Sequence, residues 1–329
     1  MKKIFLILLI IVCFLFTGCG KYDEKDVIKD FKKGIDNTKG YTLTGTLKIV
    51  NNDDTYDYDV SVVYKKKDLF KVNLRNKGND HEQIILKNTD GVFVVTPSLN
   101  KSFKFQSEWP YNNSQIYLLQ SLVNDIENDK EKTFEKTDDG FIFTTQVNYP
   151  NNRKLINQKI TLDKDLKVKM VEVYNENNIP QMTLVFTTYE INKDINDGEF
   201  ELNNIIKDNQ IEEETGNIDE VIYPLYIPSG TALTSQEEIS KTKGKRVIMT
   251  FEGEKDFLFI EETVDIEDEF SIIPTYGEPY LLIDTVGALT ETSVNWISNG
   301  IEYYLVSDVM SQDELIEIAK SVVAVSSLK

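Results

Sequence analysis

Tyr56-Asp57-Tyr58-Asp59-Val60-Ser61-Val62-Val63-Tyr64 carries a large apolar or aromatic side chain at every second position. Tyr56, Tyr58, Val60, Val62 and Tyr64 share one face, and Asp57, Asp59, Ser61 and Val63 share the other. A period of two predicts a long, half-buried antiparallel strand. The same period extends outward on both sides. Leu43, Leu47 and Ile49 alternate with polar residues before it, and Phe70, Val72 and Leu74 follow it. Ile84-Ile85-Leu86 comes next, then Asp90-Gly91 as a turn into Val92-Phe93-Val94-Val95, which Pro97 ends. Leu99 to Ser102 turns into Phe103 and Phe105. This is a β-meander.

Two stretches break the period. Val27, Phe31 and Ile35 recur every four residues, which predicts an amphipathic helix closed by a basic last turn and a C′ glycine at Lys39-Gly40. Ile116, Leu119, Val123 and Ile126 form one apolar face of a second helix expected near Ser114 to Ile126. Strands resume at Thr133–Lys136, with Asp139-Gly140 as a turn into Phe141–Val147. Leu155–Leu162, Val168–Tyr174 and Met182–Tyr189 follow, and the segment ends at Asp197–Leu202. A sheet of about ten strands usually curls, and the two helices are its natural plug. Residues 26–202 are therefore expected to be a curved antiparallel β-sheet, an open half-barrel closed by helices, in the α+β class.

Residues 203–220 are polar, acidic and Asn-rich, and read as a linker. A smaller α+β domain is expected over residues 221–329. Its strands are Arg246–Phe251, Phe257–Glu261, Pro279–Val286, Ser293–Ser298 and Ile301–Val306, with Asn299-Gly300 as the last hairpin turn. Ser311-Gln312-Asp313-Glu314 is a capping box opening a final helix with Leu315, Ile318, Ala319 and Val322 inward.

The N-terminus adds an address. Met1-Lys2-Lys3 is a short basic region, and Ile4 to Phe16 is an almost unbroken apolar run of about 13 residues. That is too short for a bilayer core needing roughly 20, and has the proportions of a signal peptide. Phe16-Thr17-Gly18-Cys19 resembles the lipobox of bacterial lipoproteins, in which the cysteine is lipidated and becomes the first residue. The resemblance implies a signal peptide at 1–18, lipidation by acyl chains such as palmitate on Cys19, and a polar tether at 19–25. Losing Lys2 and Lys3 would move the net charge from −19 to −21. Cys13 would leave with the signal peptide, so no free thiol would remain for nucleophilic or redox chemistry.

Composition narrows the function. The 329 residues include 36 Lys+Arg against 55 Asp+Glu, which argues against nucleic acid as a partner. Two Cys and one His exclude a disulfide framework, a Cys-rich zinc site and a two-histidine metal site. His81 is the one imidazole, in the polar Asn79-Asp80-His81-Glu82, and is expected exposed at a strand edge. No Gly-x-Ser-x-Gly elbow or phosphate-cradling glycine pattern occurs. Asp53, Asp54, Asp57 and Asp59, and Glu261, Glu262, Asp265, Glu267, Asp268 and Glu269, carry oxygens that suit Ca²⁺. Neither group has the Asp-x-Asp-x-Asp-Gly spacing, so solvated tips and charged faces are expected, with no metal, cofactor or catalytic residue. The aromatics have two readings: the lining of a hydrophobic hollow, or a filled core beneath the helices.

Residues 40–202 resemble the lipoprotein-carrier superfamily typified by LolA. Gln83 to Asn88, Gly91 to Pro97 and Leu99 to Pro110 are similar to its branch of sporulation-associated lipoproteins from Gram-positive spore formers. Residues 221–324 look like a small C-terminal domain found in that branch. The resemblance implies a non-enzymatic protein on the extracytoplasmic face of the cytoplasmic membrane, at mother-cell or forespore membranes, in sporulation and envelope biogenesis. It implies a concave sheet that binds lipid or an acylated protein. Tyr56, Tyr58, Val60, Val62, Tyr64, Ile116, Leu119 and Val123 are the expected lining. The alternative is a scaffold for cell-wall (spore cortex) processing enzymes, with the hollow filled. Leu119 should separate the two, since a tryptophan there blocks a hollow but strains a packed core.

Overall fold

A computed structural model describes residues 22–51, 54–149, 152–208, 218–264, 270–282 and 284–322. The expected signal peptide, Cys19 and the start of the tether lie outside the described residues. So do Asp53, Asp265, Glu267, Asp268 and Glu269.

The first helix, α1 (Glu24–Asn37), takes over the end of the expected tether. Its start is set by Asp23, whose carboxylate accepts the Lys25 and Asp26 N–H groups at 2.9 and 3.1 Å while Asp26 accepts the Asp23 N–H. Val27, Phe31 and Ile35 form its buried stripe. The expected Lys39-Gly40 closure is corrected. Thr38 ends the helix in an extended conformation, and Gly40 opens the first strand. Glycine is needed there for close approach, because a Cβ would lie 2.7 Å from the Tyr64 carbonyl oxygen.

Strands β1 (Gly40–Asn51), β2 (Asp54–Lys65), β3 (Leu69–Asn76), β4 (Glu82–Asn88), β5 (Gly91–Thr96) and β6 (Lys101–Phe105) form the meander. Helix α2 (Leu119–Asn128) follows. It is shorter than expected: Ile116 precedes it in a turn where the Ser121 hydroxyl accepts the Gln115 N–H. Then come β7 (Thr133–Lys136), β8 (Gly140–Gln146), β9 (Leu155–Asp163), β10 (Val168–Asn175) and β11 (Pro180–Ile191). Strand β11 returns to pair with β1, from Tyr41 opposite Ile191 to Ile49 opposite Met182. The two meanders thereby become one open antiparallel sheet.

That sheet must curl. Val92 and Val94 of β5 share a core with Phe141 and Phe143 of β8, eight strand spacings away. Laid flat, those strands would stand roughly 38 Å apart. Two helices, each about 10 Å wide, join them only if the sheet wraps around α1 and α2. On the convex side, Val63, Ile84, Leu86, Phe93 and Val95 meet Phe200, in the turn at Asp197–Phe200, and Ile205 of a short helix, α3 (Leu202–Asp208). Burial on both faces is why Ile84-Ile85-Leu86 and Val92–Val95 are unbroken apolar runs. Helix α3 occupies the front of the expected 203–220 linker, of which residues 209–217 lie outside the described residues.

The second sheet contains β12 (Thr231–Ser240), β13 (Lys245–Gly253), β14 (Phe257–Thr263), β16 (Glu278–Leu281), β17 (Val286–Leu289), β18 (Ser293–Ser298) and β19 (Ile301–Val306). Its spatial order is β12-β13-β14-β19-β18-β17-β16, with α4 (Gln312–Lys320) packed on it. The Ser311–Glu314 capping box forms. Asn299 and Gly300 have φ of 51° and 72°, the paired positive values a type I′ hairpin requires. One expectation is corrected, and two strands occur that the sequence pattern did not mark. The single strand expected over 279–286 is two strands with a turn between. Edge strand β12 is exposed on both faces, Leu233 and Ile239 included, which leaves no period to read. Strand β15 (Ser271–Thr275) leaves its own sheet and pairs parallel with β6 of the first, Ser271 opposite Lys101. The chain is thus stitched across its two sheets.

Candidate functional site

The face over β2 is a filled core. Tyr58, Val60, Val62 and Tyr64 are buried in one cluster with Leu119, Val123 and the α1 stripe, and Tyr56 is half-buried against it. Tyr64 stacks on Tyr41 with ring centroids 4.9 Å apart. Of the expected lining residues, Ile116 borders a cleft away from that face.

That space lies at the seam between the sheets. A cleft of about 530 Å³ opens there, within the range of small-molecule sites. One wall is the end of the first sheet: Ile49 to Asn51 of β1, Met182 of β11, and the turn at Asn175 to Asn177. A second wall comes from the loops around Ile116 and Tyr149. The third comes from the other sheet, with Tyr280 and Leu281 of β16, Leu282, and Ile316 and Lys320 of α4. Ile316 and Lys320 stand one turn apart, so both reach the same side of α4.

Polar groups clamp these walls. Lys154 forms an ion pair with Glu317, and the Arg153 N–H donates to Asp313 Oδ1 at 3.3 Å. The Asn51 side chain donates to the Lys320 carbonyl at 3.3 Å, and the Asn152 side chain donates to the Tyr280 hydroxyl at 3.4 Å. Burial, with the Lys154 charge adding to it, lowers the Lys320 ammonium to about 8. It therefore keeps its charge at neutral pH. Burial pushes the Tyr149 and Tyr280 hydroxyls up, so both stay neutral hydrogen-bond donors. An apolar floor with the Lys320 ammonium, neutral donors and the rim charges of the Lys154–Glu317 pair, Asp313 and Glu176 can hold a ligand; its described lining residues form no nucleophile–base pair.

Other candidates are dispersed. His81, expected exposed, is half-buried near Asp284, and burial lowers its imidazole against the opposing pull of Asp284 and Glu82. Its Nε2 has no hydrogen-bond partner among the described residues. Glu261 and Glu262 point to opposite faces of β14, one into the core and the other to Arg246 and Lys241. No group of three metal-ligating side chains converges among the described residues. Lys320 was missed by periodicity, since a basic residue in a last turn reads as a dipole partner. Ile316 was the available signal, an apolar residue beside the Leu315, Ile318 and Ala319 stripe.

Comparison with known proteins places the chain further. Residues 1–200 match a family model described as sporulation protein YdcC-like. The sporulation protein YdcC of Bacillus subtilis strain 168 is 34% identical over 99% of this chain and 98% of its own length. A crystal structure of MucB is similar at a TM-score of 0.36 and 11% identity, covering 92% of this chain and 98% of that one. A putative outer membrane lipoprotein-sorting protein domain from Vibrio parahaemolyticus is similar at a TM-score of 0.33 and 14% identity, covering 55% and 97%.

Proposed function

The chain belongs to the YdcC-like family of sporulation proteins, and from that premise we propose that it is a non-catalytic binding protein of the cell envelope. A lipidated Cys19 holds it on the extracytoplasmic face of the cytoplasmic membrane, at mother-cell or forespore membranes. It takes one amphiphile, a lipid or the acylated end of a lipoprotein. The observation that carries this reading is the seam cleft, about 530 Å³ with an apolar floor and polar rim. The site differs from the expected one, since α1 and α2 fill the concavity above Tyr56 to Tyr64.

The test is direct binding of a fluorescent fatty acid to the protein without its lipid anchor. Micromolar binding is expected. Met182→Trp, at a half-buried position on the cleft wall, should weaken it about tenfold by filling the space, with the melting temperature kept. A parent that binds no fatty acid overturns the ligand-holding reading. The role then passes to a scaffold for a cell-wall (spore cortex) processing enzyme. The observation favouring that second reading is the β12 edge, ten residues long and exposed along nearly its whole length, which suits strand addition by a partner.

The anchor has its own test. Cys19→Ala should abolish labelling by a fatty-acid analogue in cells and leave the signal peptide unprocessed at that site. Unchanged labelling overturns the lipoprotein assignment.

A further inference from the structure

We propose that Lys320 forms an anion subsite in the seam cleft, so that the ligand is an amphiphile carrying a carboxylate or phosphate beside its acyl chain. The inference rests on the cleft being a binding site and names the chemistry it takes.

Lys320 ends α4 and lines the cleft, yet its ammonium makes no ion pair with a described residue. Scarcity of carboxylates is not the reason, because Asp+Glu outnumber Lys+Arg by 55 to 36. The acids nearest in sequence are engaged elsewhere, Glu317 by Lys154 and Asp313 by the Arg153 N–H, and the other cleft carboxylate, Glu176, lies in the turn on the first-sheet wall and makes no ion pair with Lys320. A half-buried ammonium without a counter-charge costs free energy, and that cost is recovered when an anion arrives. The effect on Lys320 itself agrees, since burial draws its pKa down to about 8. An arriving anion would raise it again.

The surroundings set the head group and the tail. The α4 C-terminus supplies partial negative charge that keeps the ammonium protonated. The Tyr149 hydroxyl makes no hydrogen bond to a described residue and borders the same cleft, which offers a second donor to an oxyanion. Ile316, Leu282 and Met182 continue the wall as apolar surface. Positive head site and apolar floor are contiguous, so charge and chain must belong to one molecule. An overall charge of −19 repels free anions from solution, which favours a ligand delivered by its apolar part.

The experiment compares ligands of one chain length on the anchor-free protein: dodecanoate, dodecyl phosphate, dodecanol and dodecylamine, with inorganic phosphate alone as a fifth arm. Isothermal titration should show dodecanoate and dodecyl phosphate binding at least about tenfold more tightly than dodecanol, as expected for hydrogen bonds to a charged group. Dodecylamine and inorganic phosphate should not bind measurably. Lys320→Gln should remove the anion preference while dodecanol affinity holds, and Lys320→Arg should restore it. Equal binding of dodecanoate and dodecanol to the parent overturns the anion subsite and leaves the cleft reading standing. Tight binding of inorganic phosphate alone overturns the amphiphile. If no chain binds the parent, the cleft reading itself fails.

Discussion

Gln83→Leu should lower stability by about 3 kcal/mol and separate the unfolding of the two sheets. Gln83 sits on β4, only 4% exposed, where the second sheet seats on the first. Its side-chain amide behaves as a stray peptide group. Oε1 accepts the Val286 N–H at 2.5 Å and the Thr285 hydroxyl at 3.1 Å, and Nε2 donates to the Val286 carbonyl at 3.3 Å. Leucine fills a similar volume, so the cavity cost is small. It leaves the Val286 N–H, the Val286 carbonyl and the Thr285 hydroxyl without the partner Gln83 gave them in a buried seam, and removes a longer bond to the Thr96 hydroxyl at 3.4 Å. Each orphaned group costs about 1–3 kcal/mol before relaxation, which gives the net figure. The two tryptophans supply the readout, because Trp109 lies in the first core and Trp296 in the second. Single-tryptophan forms of the parent should unfold in urea at one midpoint. In Gln83→Leu the Trp296 transition should move to lower urea, ahead of Trp109. A loss below about 1 kcal/mol with coincident transitions would show that this amide does not hold the seam.

The seam also explains what could and could not be read from the amino-acid order. Strand β2 was legible because one face is dry and the other wet, which writes a period of two into Tyr56 to Tyr64. Ile84–Leu86 and Val92–Val95 were legible as runs because α1 and α2 cover one face while Phe200 and Ile205 cover the other. Strand β12 was illegible for the opposite reason: an edge exposed on both faces has no alternation to show. Strand β15 was invisible because its partner, β6, lies about 170 residues earlier and the pairing is parallel. The grouping of Tyr58, Val60, Val62 and Tyr64 with Leu119 and Val123 was present in the pattern, since each has a buried phase. Whether they enclose a hollow was not, because filling depends on side-chain volumes meeting in three dimensions. The cleft depends on how two independently patterned units seat on each other. No local period encodes that seating, which is why Ile116 was found and Tyr149, Tyr280 and Lys320 were not.

Glu261→Gln should stabilise the protein by about 1–2 kcal/mol at pH 8 and give no gain at pH 4.5. Strand β14 alternates Phe257, Phe259, Glu261 and Thr263 inward, so the carboxylate occupies a core phase and is fully buried. Oε1 accepts the Ile222 N–H at 2.7 Å, Oε2 has no hydrogen-bond partner among the described residues, and Tyr303 faces Glu261 across the strand pair. Burial raises the carboxyl from 4.5 to about 7, against the opposing effects of the Ile222 N–H and Lys245. The folded state therefore holds a proton that the unfolded chain releases between pH 4.5 and 7. Stability from this group is fully present below pH 4.5, declines as pH rises through that window, and is lost above about 7. A shift of this size corresponds to about 3 kcal/mol. Glutamine keeps an oxygen for the Ile222 N–H and removes the ionisation. Its amide donor meets the space beside Oε2, which takes back part of the gain. Urea unfolding at pH 4.5, 6 and 8 checks the sign, and a Glu261→Gln advantage that does not change with pH would overturn the assignment. Glu261→Leu completes the test. It too removes the charge but leaves the Ile222 N–H without an acceptor, so it should fall below Glu261→Gln at every pH by about 1–3 kcal/mol. If leucine matches glutamine, the carboxylate is not what ties the segment at Ile222 to the second sheet.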